Sequence, residues 1–346
     1  SVCIQCGQCI NVCPTAAFME QPSTEEVWNA IADPKKFVVA QTAPSTRAAI
    51  GELYQRGGRL EDAEDVFVAL LPGVRANASL DPLLLPDLLQ RLGTVATRQG
   101  RDREAIAYFE ESIALFTATQ GPEHPNTLLS RNDCARALSN LGEDQAALQQ
   151  LQTVLEARER VLGPSHPETA ITRVDMGRAL WRLDRLEEAA ASLRRGRDDY
   201  ATAKGGDHPG GWNATMHLSS ALRDLGRDDD AQAELLACEA FFVKQQGDAG
   251  NSTRVVRIRL ASLALCQDRK DDAQRLLQQA LDPAPGAVAD WLPARAQIEC
   301  GTALLHRNRL AEAADYLQRG YDLLLAAHGK DDLDTQAAVR LLIKLC

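Results

Sequence analysis

Seven alanines, Ala63, Ala105, Ala147, Ala189, Ala231, Ala273 and Ala313, stand 42, 42, 42, 42, 42 and 40 residues apart. No other property of the chain constrains its fold as tightly. Twelve residues before these anchors sit Gly51, Gly93, Ala135, Gly177, Ser219, Ala261 and Gly301, small throughout. Four residues after them sit Phe67, Phe109, Leu151, Leu193, Leu235, Leu277 and Leu317, large and apolar throughout. A small residue facing a large one lets two helices approach and fills the gap between them. The stretch from Gly163 to Leu193 shows the unit. His166-Pro167 opens a first helix, where proline costs nothing because a first-turn N–H has no helical acceptor. A break follows at Leu183–Arg185, and a second helix then carries Leu186, Ala189, Ala190 and Leu193 on one face. The chain therefore reads as all-α, an array in which each helix pair buries its apolar face only against its neighbours.

Composition narrows the function. With 45% hydrophobic and 25% charged residues, the 346-residue chain has the balance of a soluble globular protein. A net charge of −10 argues against nonspecific binding to nucleic acid. No run of about 18 apolar residues exists to span a membrane, and no secretory signal opens the chain. The start at Ser1 suggests a processed or truncated N-terminus. Four of the nine cysteines fall within the first 13 residues, which is no disulfide framework and fits a reducing, cytoplasmic setting. No nucleophile elbow, Walker loop, kinase signature or H-E-x-x-H motif occurs, so catalysis is not expected.

The N-terminal cysteines form a motif of their own. Cys3, Cys6, Cys9 and Cys13, followed by Pro14, make the bacterial ferredoxin run C-x2-C-x2-C-x3-C-P. Three thiolates at that spacing wrap a loop around one 4Fe–4S cluster, and Gly7 lets the backbone come close. A zinc knuckle would need a second, separated ligand pair. Residues 1–22 thus read as a ferredoxin-like iron–sulfur segment holding half a ligand set. In two-cluster ferredoxins the fourth cysteine of such a run ligates the other cluster. Cys3, Cys6 and Cys9 then need a fourth ligand that no second run here supplies. A partner motif upstream, an incomplete cluster and no cluster all stay open. Residues 23–45 read as a linker: a capping box from Ser23 to Glu26 opens a helix over about 24–32, Lys36–Thr42 forms a short strand, and a further helix starts near Pro44.

Two family resemblances follow from these residues. CIQCGQCINVCPTAAF and EEVWNAIADPKKFVVAQTAPSTRAAIGELY resemble the join between the second ferredoxin-like motif and the catalytic domain of iron-only (FeFe) hydrogenases. That resemblance implies Cys3, Cys6 and Cys9 on one relay cluster, Cys13 on its neighbour, and the strand Phe37–Gln41 in the catalytic domain's sheet. The family's active-site segments T-S-C-C-P, M-P-C-x2-K and E-x-M-x-C-x2-G-C do not occur, so hydrogen turnover is not expected. The second resemblance covers residues 46–346. The repeat columns, with the linkers GPEHPNT at 121–127 and GPSHPET at 163–169 and the degenerate GDHP at 206–209, resemble the 42-residue tetratricopeptide repeat of kinesin light chains. It implies a right-handed superhelical solenoid of about seven helix pairs. The last two repeats lack the His-Pro linker, and PAPGAVADWLP at 283–293 reads as an irregular loop.

In that family the first helices line a concave surface where peptides lie. By register the candidates are Asn132, Arg136, Asn140, Arg178, Trp181, Arg182, Asn213, His217 and Arg223. Arginine forks bind carboxylates in bidentate fashion, so the implied partner is a protein or peptide, acidic in character. The plainer alternative is a solvated, salt-bridged helix face. His124, His166 and His208 are a helix pair apart, roughly 15–20 Å, too far to share a metal ion, and read as loop caps. Cys134, Cys238 and Cys300 fall in helix-packing columns and read as core thiols. The leading expectation is a protein-interaction scaffold. The alternative is an electron-transfer component meeting a redox partner, and a third reading makes the N-terminal segment a fusion remnant without a cluster.

Overall fold

The computed structural model describes residues 44–76, 81–206, 208–281, 291–330 and 332–345. The ferredoxin-like segment, the helix expected at 24–32 and the strand expected at 36–42 lie outside the described residues. Fifteen helices and no strand occur among the described residues, in two compact units. The first unit holds α1 (Pro44–Arg56), α2 (Leu60–Ala76), α3 (Leu84–Arg98) and α4 (Asp102–Gln120). The second holds α5 (Pro125–Asn140), α6 (Asp144–Val161), α7 (Pro167–Arg182), α8 (Leu186–Lys204), α9 (Pro209–Asp224), α10 (Asp228–Gln246), α11 (Asn251–Cys266), α12 (Lys270–Leu281), α13 (Trp291–His306), α14 (Leu310–His328) and α15 (Leu333–Ile343). Odd-numbered helices from α1 to α13 are the first helices of seven pairs. α15 takes the first-helix register once more.

The columns read from the sequence are the contacts that hold each pair together. All seven anchor alanines are at most 1% exposed. Of the large residues four positions on, only Leu277 is not fully buried. Gly93 lies directly under the Phe109 ring, and Gly177 under Leu193. The turn inside each pair passes through a positive-φ residue, at Gly58, Gly100, Gly142, Asp184, Gly226, Asp268 and Asn308, with φ between 57° and 85°. That is the left-handed region, which glycine enters freely and Asn and Asp more readily than other side chains. It explains why the break at Leu183–Arg185 falls on an aspartate.

The linker histidines are N-caps. The Nδ1 atoms of His124, His166 and His208 accept hydrogen bonds from the backbone N–H of Asn126 (3.2 Å), Glu168 (3.2 Å) and Gly210 (3.1 Å). Each cap is followed by proline at the first helical position. Gly250 stands in the same column before α11, and Asp332 caps α15 through the N–H groups of Asp334 and Thr335. Two residues past the proline, Thr169 donates its hydroxyl to the Gly163 carbonyl at 2.9 Å, and Thr253 does the same to Gly247 at 2.9 Å. The next helix thereby satisfies a carbonyl in the preceding linker. Replacing His166 by alanine is expected to cost about 1 kcal/mol in urea unfolding, whereas asparagine, itself a good cap, should restore most of it.

One boundary differs from the sequence reading. Residues 291–293, expected in an irregular loop, open α13 instead, with Leu292 fully buried. Pro293 sits in the first helical turn, where no N–H is needed, so it does not end the helix.

Candidate peptide-binding face

The nine candidate residues all lie in the second unit, on α5, α7 and α9. Polar bonds between successive first helices organise them. Asn132 on α5 is 2% exposed and donates Nδ2 to Asp175 Oδ2 on α7 at 2.8 Å. Its Oδ1 accepts from the Thr172 hydroxyl at 3.0 Å. Arg182 on α7 donates back to α5, to the Ser139 hydroxyl at 3.2 Å and to the Ser139 carbonyl. Trp181 donates Nε1 to Asp224 Oδ2 on α9 at 2.7 Å. Arg223 on α9 is 2% exposed and donates Nη1 to Ser262 on α11 at 2.9 Å.

Burial divides these residues into two groups. Asn132 and Arg223 lie inside the bonding network, and Trp181 has its polar edge occupied. Arg136, Arg178 and Arg182 keep 38%, 28% and 33% of their side chains exposed, with Asn140 half-buried nearby. Arg136 and Arg178 each pair with an aspartate three residues earlier on their own helix, Asp133 and Asp175. Asn213 is exposed and His217 half-buried on α9. Burial of the His217 ring, with the charges of Arg178, Arg259, Arg295 and Arg182 around it, holds its pKa well below 6.5 and keeps it neutral.

Repeat seven enters this face. Expected to touch only its neighbours, α13 also meets α9 and α7. Glu299 Oε1 accepts from Arg223 Nη1 at 2.9 Å. Arg307 donates Nη2 to the Arg223 carbonyl at 2.8 Å and also pairs with Asp228. The His306 ring stacks on Trp181 with centroids 6.4 Å apart, its Nε2 3.7 Å from Asp224. The physical reason is charge: Arg223 is buried, and Asp224 and Glu299 supply the carboxylates its burial demands. Arg259, bonded to the Ser220 hydroxyl and the Met216 carbonyl of α9, and Glu299 thus belong to this face, and the sequence reading did not include them. A signal existed. Counting 14 back from the second to the seventh anchor gives Arg91, Asp133, Asp175, His217, Arg259 and Glu299, a polar and mostly charged column on consecutive first helices.

The described cysteines of the repeats stand apart from one another and gather with no other ligating side chains. Cys134, Cys238, Cys266 and Cys300 are free thiols, and among the described residues no three His, Cys, Asp or Glu side chains gather to hold an ion. Cys134, Cys238 and Cys300 are at most 2% exposed. Burial pushes the Cys238 thiol up to about 12, and raises those of Cys300 and Cys266 as well. Buried among apolar side chains, such thiols are poor nucleophiles. In native protein at pH 8, Cys134, Cys238 and Cys300 are expected to resist iodoacetamide and to label fully in urea, as read by peptide mass mapping.

Two tetratricopeptide repeat models match the chain, one over residues 85–160 and 145–201, the other over 174–241 and 258–327. A 4Fe-4S binding domain model matches residues 1–19. At the N-terminus the chain is 54% identical over 52 residues to the NADP-reducing hydrogenase subunit HndD of Solidesulfovibrio fructosivorans. That stretch is 15% of this chain and 9% of that subunit, so the chain spans less than a tenth of its relative's length. Among solved structures, a Rap protein complexed with Competence and Sporulation Factor is 14% identical, with a TM-score of 0.60 over 93% of this chain and 80% of the other. The nearly identical TPR-like repeats of a putative kinesin light chain from Podosopora anserina are 23% identical over 60% of this chain and 99% of the other, with a TM-score of 0.49. With the 42-residue register, the all-helical pairs and the repeat models in agreement, the chain belongs to the tetratricopeptide repeat proteins and begins with a segment similar to that of a hydrogenase subunit.

Proposed function

We propose that the repeats form a protein-interaction scaffold and that the inner face of α5, α7 and α9 docks an extended or helical peptide bearing acidic side chains. One observation carries the reading. Arg136, Arg178 and Arg182 lie in one stripe, held in place by bonds on one side and open to solvent on the other. A guanidinium already oriented loses little entropy when it takes a further carboxylate. Asn140, Asn213 and His217 border the stripe, and Asn132 positions it through Asp175, which it shares with Arg178. The test uses arrayed peptides of matched length with acidic or basic composition, probed with the full chain and with Arg136→Glu/Arg178→Glu. Wild type is expected to select acidic peptides, and the double variant to bind them about tenfold or more weakly. Equal binding by both proteins would sink the reading.

A second reading concerns the N-terminal segment, favoured by the 4Fe-4S domain match over residues 1–19. In it, Cys3, Cys6, Cys9 and Cys13 hold iron–sulfur ligation positions and the repeats recruit a redox partner. Anaerobic purification with iron and acid-labile sulfide counting tests it. A colourless, iron-free chain would count against it and favour a remnant without a cluster.

A further inference from the structure

Repeat one has no helix pair before it among the described residues, and its first helix shows the difference. Ten residues before the anchors sit Leu53, Val95, Ala137, Ala179, Ala221, Leu263 and Ala303, apolar throughout. In repeats two to seven this column is at most 1% exposed, whereas Leu53 is 67% exposed. One turn earlier, Ile50 is 36% exposed, while Leu92, Cys134, Leu218, Leu260 and Cys300 of its column are at most 7%. Residues three apart share a helix face, so Ile50 and Leu53 form one open apolar face on α1. The other sides of α1 are engaged: Gly51 lies under the Phe67 ring of α2, and Glu52 pairs with Arg91 of α3 at 3.3 Å.

Later repeats show what covers this face. Leu92 and Val95 of α3 lie in one apolar cluster with Phe67, Leu70 and Val74 of α2, the second helix of the pair before. In α13 the Ala303 carbonyl accepts from Cys266 Sγ of α11 at 3.7 Å, again from the pair before. A single exposed leucine means little by itself. A column buried in every later repeat and open in the first marks a face that the fold prepares for a helix. The chain holds one in reach. Residues 1–43 run directly into α1, and the helix expected at 24–32, outside the described residues, is two-sided: at 100° per residue, Val27, Trp28 and Ile31 share one side and Glu25, Glu26 and Asn29 the other. Residues 33–43 can span up to roughly 36 Å, and Leu53 stands only about 14 Å along α1 from Pro44. A helix also satisfies its own backbone groups, whereas the strand expected at 36–42 would leave a row of them unpaired against α1.

We propose that segment 24–32 docks as a helix on the Ile50–Leu53 face of α1, with Val27, Trp28 and Ile31 turned to it, in the place that the preceding helix pair takes in every later repeat. The docking ties the cysteine-rich residues 1–22 to the first end of the array. It requires neither a bound cluster nor the peptide reading of the inner face.

The test places Leu53→Cys in the full chain and follows its alkylation by iodoacetamide with peptide mass mapping. Docking is expected to slow the reaction by about tenfold or more relative to Val68→Cys, an exposed position on α2. Adding Trp28→Asp/Ile31→Asp should restore the fast rate, and Glu25→Lys, on the polar side of the segment, should leave it slow. Val95→Cys, in the same column one repeat on, should stay protected beside Trp28→Asp/Ile31→Asp, which shows the first unit still folded. Where it does not, Trp28→Ala takes the place of that pair. The slow rate should also survive about a hundredfold dilution, as a contact within one chain does. Leu53→Cys reacting as fast as Val68→Cys overturns the proposal. So does protection that is lost on dilution, which assigns the face to a second copy, and protection that the Trp28 substitutions leave intact, which assigns it to another part of the chain.

Discussion

Replacing Gly93 by alanine is expected to destabilise the first unit by about 2–3 kcal/mol, although alanine is the better helix former by about 1 kcal/mol. A Cβ at this position would stand 2.6–2.8 Å from three atoms of the Phe109 ring. Phe109 is 1% exposed, so its ring can yield only by displacing buried neighbours. The repeat columns also predict the remedy. Repeats three and six place alanine opposite leucine, as Ala135 opposite Leu151 and Ala261 opposite Leu277. Phe109→Leu alone should cost about 1–2 kcal/mol through the space it leaves. The Gly93→Ala/Phe109→Leu double variant should be no less stable than Phe109→Leu alone. Urea unfolding of the four proteins as a double-mutant cycle gives the coupling, expected at about 2 kcal/mol. Additive losses would show that the column is not held by this contact.

Replacing Glu299 by alanine is expected to cost about 3 kcal/mol at neutral pH, because buried Arg223 then keeps only Asp224 and buried Arg259 loses the carboxylate that acts most strongly on it. Its effect should reach beyond its own repeat. Glu299 joins α13 to α9, so the Trp181 fluorescence, sensitive to the His306 ring stacked on it, should change in the folded variant. The wild-type interaction carries a pH signature. Burial would raise the Glu299 pKa, but Arg259, Arg223 and Arg295 outweigh it and hold it at about 2, against 4.5 for a free glutamate. A carboxylate with its folded-state pKa depressed stabilises fully above the unfolded value and loses that contribution as pH falls through the folded value. The stability difference between wild type and Glu299→Gln should therefore be constant above about pH 5 and shrink steadily between 4.5 and about 2. A difference that stays flat on acidification would mean that Glu299 is not held as an anion.

The two predictions differ in how far the sequence reaches. The Gly93–Phe109 contact is visible in the register alone, since both residues stand in fixed columns relative to Ala105. The Glu299–Arg223 contact is not, because it joins residues 76 apart on repeats that are not sequential neighbours. The same division runs through the candidate face. Arg136 and Arg178 could be placed on the first helices from the repeat, and there they are. That Asn132 and Arg223 are buried, and that Arg259 and Glu299 join the face, depends on how successive pairs pack. The histidine caps were legible because His-Pro at a helix start has a local reason. The left-handed turns at Asp184, Asp268 and Asn308 follow the same local logic, although only the backbone angles reveal them.

The sequence by itself determined the helix pairs, their register, their capping and the small-to-large contacts within each pair. These rest on neighbours in the chain, so a 42-residue period encodes them directly. It is the tertiary packing that brings α13 against α9 and α7 and seals Arg223 between Asp224 and Glu299. Those outcomes come from small rotations summed over several repeats, and from where the resulting geometry leaves a buried charge its partner. No single repeat contains that information.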